Sequence, residues 1–260
     1  MKKPYSNIFN LKDKVAVIIG GGGYLCGEMA RGLGSFGCKL IIIDIRLEKA
    51  TLVSEEISQK YKVKTLGIKV DVQKRKELND ALNRIETVFG NVDILINGAG
   101  INSPKPFFEI NDSDYNNVMN SQIFGTFLGC QIFGKHMVKN NSGSIINISS
   151  ASAGPPLSKA FVYSVAKAGI KNLTQNLARE WAPHGVRVNA IRPGFFPTEW
   201  NKKNFITKER EKQILGHTPM NRYGNVEELV GGAVYLSSQA SSFVTGSEIA
   251  IDGGFSCMTI

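Results

Sequence analysis

Short apolar runs alternate with longer amphipathic ones along most of the chain. Val15–Gly20, Lys39–Asp44, Val63–Val70, Val92–Asn97, Ser144–Ser149, Val186–Ile191 and Glu248–Ile251 read as strands, because each is a brief run rich in aliphatic side chains. Between them, Leu25–Phe36, Leu47–Lys60, Gln73–Phe89, Asp114–Lys139 and Phe161–Trp181 read as helices, the last with Ile170, Leu173, Leu177 and Trp181 on one stripe. Apolar strands separated by helices predict a parallel sheet covered on both faces. Right-handed crossovers make that a doubly wound α/β sheet of about seven strands. No linker or repeat interrupts the pattern, so residues 1–260 are read as a single domain. Its least regular stretch, around 194–225 with a short helix at Lys208–Leu215, is read as a substrate lid.

Sheets of this kind bind ligands outside the carboxyl ends of their strands. That rule gathers Gly20–Gly23, Asp44, Asp71, Asn97–Gly100, Ser149–Ser150 and Pro193–Gly194 around one crevice. The first strand runs into Gly20, Gly21, Gly22 and Gly23, followed by Tyr24 and Leu25 at a helix start. Glycines there let backbone approach a pyrophosphate, and a helix N-terminus favours its charge. Asp44 ends the next strand, where a carboxylate can accept both ribose hydroxyls of an adenosine and would repel a 2′-phosphate. NAD is therefore expected over NADP, with Arg46 as the one nearby cation that could take a phosphate.

Tyr163 and Lys167 are four apart in a helix and share a face. A tyrosine with its ordinary pKa of about 10 is a poor acid or base at neutral pH. A neighbouring ammonium favours the phenolate and would bring it toward working pH. A hydroxyl from Ser150 could hold the substrate oxygen.

These residues sit in a longer set of matching stretches: Lys14–Gly20, Asp71-Val72, Asn97-Gly98-Ala99-Gly100, Ile146–Ser150, Tyr163–Gly169, Arg187–Gly194 and Asp252–Gly254, with thirteen residues from Ser150 to Tyr163. Over Leu11–Gly254 the chain resembles the short-chain dehydrogenase/reductase family. The resemblance implies a Rossmann-type fold with Tyr163 as general acid/base. It makes Lys167 the partner of Tyr163 and a ligand of the nicotinamide ribose, and Ser150 the residue that orients substrate. It implies a cofactor site made of Gly20, Gly22, Gly23, Tyr24, Leu25, Asp44, Asp71, Val72, Asn97, Ala99, Gly100, Pro193, Gly194, Phe196 and Thr198. Asp71 and Val72 would meet the adenine, and Thr198 the nicotinamide amide. The family's catalytic asparagine, which bends its helix and holds a water leading to the lysine, aligns with Gln122. The extra methylene would move that amide outward. Ile19, Tyr24 and Cys26 also depart from the family's usual glycine motif. That variant, and the stretches Gly194–Glu199 and His217–Met220, resemble sugar-acid dehydrogenases of the D-mannonate oxidoreductase and gluconate 5-dehydrogenase kind. Family members commonly form homodimers or homotetramers through their fourth and fifth long helices. Here Phe124, Phe127, Phe133 and Trp181 could supply the contacts.

Around the substrate, Asn102, Ser152, Arg192 and Trp200, with Asn201, Lys202, Lys203, Asn204 and His217, make a polar and cationic lining. Such a lining suits a hydroxylated anion better than a steroid or acyl chain. Arg192 could clamp a carboxylate through two hydrogen bonds, or brace its loop instead. The function expected is interconversion of a secondary alcohol and a ketone on a sugar acid or related anionic polyol. A 3-oxoacyl-thioester reductase and a catalytically idle nucleotide-binding sensor or scaffold are the alternatives.

Composition narrows the classes further. The formal charge is +9, but the lysines are spread along the chain, which points to a solvated surface rather than a nucleic-acid stripe. Four cysteines and three histidines stand apart with no ligand spacing, so no metal site is expected. No apolar run is long enough to span a bilayer, and no signal peptide precedes Leu11, which makes the cytoplasm the expected location.

Overall fold

The computed structural model describes residues 5–199, 202–203 and 206–258. Seven strands form one sheet: β1 (Val15–Ile19), β2 (Lys39–Asp44), β3 (Thr65–Lys69), β4 (Ile94–Asn97), β5 (Gly143–Ile148), β6 (Val186–Pro193) and β7 (Glu248–Ile251). All pairs are parallel, in the order β3-β2-β1-β4-β5-β6-β7. The order reverses between β1 and β4, so the chain leaves those two strands toward opposite faces and opens a crevice at their carboxyl ends.

The helices are α1 (Tyr24–Ser35), α2 (Leu47–Tyr61), α3 (Arg75–Phe89), α4 (Asp112–Met119), α5 (Gly125–Lys139), α6 (Phe161–Trp181), α7 (Lys208–Gly216) and α8 (Glu228–Ser237). Strand periodicity sorts the core into two layers. Ala16, Ile18, Leu40, Ile42, Ile94, Ile96 and Ile146 face α1, α2 and α8, where Met29, Leu33, Ile57 and Leu229 meet them. Val15, Val17, Ile41, Ile43, Leu95, Ile145 and Val188 face α3, α5 and α6, where Leu78, Ile85, Phe133 and Met137 pack. Alternate side chains on both faces are thus fully removed from water, which is why the strands read as continuous apolar runs.

Three sequence expectations change. The helix expected over Asp114–Lys139 begins earlier, because Asn111 and Asp114 form a reciprocal capping box ahead of Asp112. It also contains a π-helical turn, Asn120–Phe124, between α4 and α5. The helix α8 was not read from the sequence; Gly231 and Gly232 in its middle disguise an otherwise apolar run. Finally, two of the four side chains assigned to subunit contacts serve the monomer. Phe133 is fully buried, and Trp181 covers Gly134, where a Cβ would lie 2.5 Å from the indole ring. Phe124 and Phe127 are exposed as expected.

Candidate active site

The dinucleotide side is built largely from backbone. Gly20 adopts φ +79°, and a Cβ there would lie 2.7 Å from the amide nitrogen of Ala99, so the turn after β1 touches the turn after β4. A Cβ at Gly22 would lie 2.8 Å from Oδ2 of Asp44. Gly23 caps α1 without a side-chain hydrogen bond, which leaves the helix N-terminus without a side-chain acceptor. Next to these turns lies a cleft of about 550 Å³ lined by Gly20, Gly23, Asp44, Asp71, Val72, Ala99 and Gly100. Seven of the residues assigned to the cofactor from the sequence therefore meet in one space. Asp44 is 7% exposed, and its Oδ1 accepts from the amide of Arg46 at 3.0 Å and from Nε of Arg46 at 3.4 Å. The carboxylate and the guanidinium thus share the end of β2.

A dinucleotide fits these residues. The close glycines, the helix terminus and the buried carboxylate match a pyrophosphate flanked by a ribose. Asn97 plays a different part from its neighbours: its Nδ2 donates to Oδ1 of Asn147 at 2.9 Å, and Nδ2 of Asn147 donates to Thr174 at 2.9 Å. This buried chain ties β4 to β5 and α6 and holds the crevice floor in register. Pro193 and Gly194 follow at the end of β6, where the Gly194 amide donates to Ile251. Phe196 packs on Gly224 away from the main cleft, Thr198 is half-buried, Tyr24 is exposed and Leu25 is half-buried.

Ser150, Tyr163 and Lys167 come together at the carboxyl end of β5. Ser150 leaves β5 and caps a short 3-10 turn, Ala151–Ala153. Its Oγ accepts from the amide of Ser152 at 3.2 Å and from the Ser152 hydroxyl at 3.1 Å. Ser152 is buried and bound in this way, so it orients Ser150 rather than facing substrate. Two donors on the Ser150 oxygen leave its own proton to point elsewhere. The Ser150 hydroxyl is the polar group that acts on the Tyr163 phenol, lowering its pKa.

The electrostatics differ in one respect from the sequence reading. Burial pushes the Tyr163 phenol above its ordinary range, and the Ser150 hydroxyl is what pulls it back. Lys167 is 3% exposed; burial lowers its ammonium to about 8. Its Nζ donates to the carbonyl of Ile148 at 2.6 Å and stands 5.4 Å from the Tyr163 ring centre. The ammonium is therefore turned toward the end of β5, and the effect on the phenol comes from Ser150.

Gln122 lies within the π-helical turn and is 3% exposed. Its Nε2 donates to the carbonyl of Ile101 at 2.9 Å, and its amide lies against Gly100, where a Cβ would be 2.3 Å from Cδ. Its buried Oε1 has no protein partner. The added methylene thus carries the amide onto the turn after β4, part of the crevice wall.

The substrate-side assignments fare unevenly. Trp200, Asn201 and Asn204 lie outside the described residues. Asn102 is exposed, and Lys202 is paired with Glu199 at 2.8 Å. Arg192 is 12% exposed in its side chain and forms an ion pair with Glu248, which is 10% exposed; it also donates to Ser256 at 3.3 Å. Of the two roles read for Arg192, the geometry supports the brace. The guanidinium lies beside Gly154, in the loop that begins at Ser150. The sequence reading did not single out Arg210. Its signal was the spacing of Arg210, Ile214 and His217, which puts all three on one face of α7.

Residues 25–256 match the family model described as enoyl-(acyl carrier protein) reductase, one of the short-chain dehydrogenase models. UxuB, an oxidoreductase of Bacillus subtilis strain 168, is 39% identical, with 95% of this chain and 96% of UxuB aligned. The 5-keto-D-gluconate 5-reductase of Escherichia coli K12 is 34% identical, over 96% of this chain and 98% of that protein. Among solved structures, a gluconate 5-dehydrogenase of Burkholderia cenocepacia J2315, in complex with NADP and tartrate, superimposes with a TM-score of 0.92 at 30% identity, covering 97% of this chain and 99% of that one. Similarity of this extent runs through the glycine crevice and the tyrosine–lysine helix alike, and the chain belongs to the short-chain dehydrogenase/reductase family.

Proposed function

We propose that the protein is an NAD-dependent oxidoreductase that interconverts a secondary alcohol and a ketone on a sugar acid or related anionic polyol. The observation that carries the chemistry is the Ser150–Tyr163 hydroxyl pair with the buried ammonium of Lys167 beside it. Two hydroxyls directed at one oxygen suit a carbonyl becoming an alcohol. When bound, the nicotinamide supplies or accepts the hydride. In reduction, Tyr163 gives its phenolic proton to the carbonyl oxygen, while Ser150 donates a hydrogen bond to the same oxygen. In oxidation, the phenolate takes that proton back. Lys167 holds its ammonium on the Ile148 carbonyl, 5.4 Å from the Tyr163 ring centre, and Gln122 positions the turn that walls the crevice.

Asp44 supports NAD, because a carboxylate 7% exposed at the end of β2 disfavours a 2′-phosphate. Its neighbour Arg46, and the NADP carried by the Burkholderia relative, define the competing cofactor. The names of the Escherichia and Burkholderia relatives support a sugar acid as substrate. The description of the family model favours an acyl-thioester reductase, against which Asp44 argues. The intact Ser150, Tyr163 and Lys167 set argues against an idle sensor. We also read 194–225 as a lid belonging to one domain, the exposed Phe124 and Phe127 as contacts of a homodimer or homotetramer, and the cytoplasm as the location. Among the described residues no helix is long and apolar enough to cross a membrane.

Initial rates with NAD and NADP against sugar acids, neutral polyols and 3-oxoacyl thioesters test the reading. It requires the highest kcat/KM for an acid with NAD. A preference for thioesters with NADPH would overturn it.

A further inference from the structure

A second cleft, of about 570 Å³, opens between the loop that continues from Ser150 and the helix α7. Its wall is Pro155, Pro156 and Leu157 on one side and Ile214 on the other, with Phe255 between them. Ile214 is buried, which pins α7 in place, and the helix then presents Arg210 and His217 on either side of it. His217 stacks edge-on against Phe255 at 4.8 Å between ring centres. Arg210 is half-buried, and its Nη1 donates to the Ser158 hydroxyl at 3.0 Å.

The charge of this cleft is one-sided. Arg210 and Lys212 line it, and among the described residues no carboxylate does. The two carboxylates that α7 itself carries lie outside it. Glu209 sits in the first turn with Thr207, and neither Glu209 nor Glu211 lines the cleft. The bond to Ser158 fixes the plane of the Arg210 guanidinium but uses only part of its fork, which carries five N–H donors. A planar fork held rigid beside an apolar wall is suited to a carboxylate, because the pair forms two parallel hydrogen bonds and water is kept from competing.

We infer that Arg210 is the residue that recognises the substrate's carboxylate, so that the acid end of a hydroxylated acid lies between α7 and the Pro155–Ser158 loop. This assignment rests on the sugar-acid reading above and transfers to Arg210 the role that the ion pair with Glu248 denies to Arg192. Ser158 is a positioning residue that sets the guanidinium. The polyol chain then extends from Arg210 toward the loop's origin at Ser150, so the distance from carboxylate to reacting carbon is a property of the α7 position.

The test compares Arg210→Gln and Arg210→Lys with the unaltered enzyme, using D-gluconate and its uncharged counterpart D-sorbitol as substrates and tartrate as an inhibitor. Arg210→Gln is expected to lower the ratio of kcat/KM for D-gluconate over D-sorbitol at least tenfold, through KM rather than kcat, and to raise the inhibition constant of tartrate by a similar factor. Arg210→Lys should restore part of both, and the dinucleotide dissociation constant should report that the variants are folded. An equal loss for both substrates, or no change in either, overturns the assignment while leaving the sugar-acid reading in place. If the unaltered enzyme uses D-sorbitol and not D-gluconate, the sugar-acid reading falls. The anion site at Arg210 then stands or falls on whether Arg210→Gln weakens tartrate.

Discussion

The two clefts of this molecule are made of different materials. The dinucleotide crevice is backbone: turns after β1 and β4 brought into contact by Gly20 and Ala99, with one carboxylate, Asp44, at a strand end. The second cleft is side chain: Arg210, His217 and Phe255 on a helix and a loop whose relation depends on the burial of Ile214. A site built from the ends of a seven-stranded sheet inherits the rigidity of the core. A site built on connecting segments is free to change while the core stays fixed. One fold can therefore keep a cofactor and vary its substrate.

The largest effect expected leaves both clefts intact. Tyr163→Phe removes only the hydroxyl, so turnover should fall ~10²–10⁴-fold while dinucleotide affinity holds. Stopped-flow turnover set against a binding titration measures the separation, and a variant retaining a tenth of the activity with chemistry rate-limiting would remove Tyr163 from its role. Next is Arg192→Met, which leaves the buried carboxylate of Glu248 with Lys171, 3.8 Å away, as its remaining cation. Breaking one partner of such a pair costs ~3–5 kcal/mol. Denaturant unfolding should show that loss, with no change in the preference for acids over neutral polyols; a changed preference would return Arg192 to contact with substrate.

Asp44→Ala should cost NAD roughly tenfold in affinity, the scale of a lost hydrogen bond to a charged group, and narrow the gap to NADP. Fluorescence titration with both cofactors reads it directly, and tighter binding of NADPH to the unaltered protein would reverse the cofactor assignment. The smallest effect is a matter of pH. Oxidation needs the phenolate and reduction the phenol, and burial raises the pKa of Tyr163. Lys167, lowered to about 8, is charged below that pH and loses its proton above it. Phenolate formation should therefore raise oxidation and lower reduction toward alkaline pH, while loss of the Lys167 charge above about 8 works against the rise. Coincident profiles in the two directions would show that another group carries the proton.

The difference between the clefts also explains what could be read from the chain. The strands were legible because both faces are buried, and Gly20, Asp44, Tyr163 and Lys167 because sheet ends and helix spacing translate directly into position. The capping box at Asn111 and the π-helical turn at Gln122 were not, since a one-residue change in helical register leaves no mark in apolar periodicity. Ser152 and Arg192 were placed on the substrate because their partners, Ser150 across a 3-10 turn and Glu248 on another strand, are defined only by tertiary folding. Arg210 was missed for the same reason from the other direction: its helix was read, but what that helix faces was not.

The bond from Arg192 to Glu248 has a consequence for the order in which the molecule matures. Glu248 belongs to β7, the edge strand, which pairs with β6 alone and is synthesised after the other six. A nascent chain can close the dinucleotide crevice from β1, β2 and β4 before that carboxylate exists. Through that interval Arg192 is an unmatched cation on the sheet, beside the loop carrying Gly154 and Ser150. The last strand to dock therefore completes the packing beside that loop, and a strand with a single neighbour has less to hold it in place. A partly unfolded population would keep its nucleotide longer than its catalysis, so that bound cofactor is a poor witness to a working enzyme.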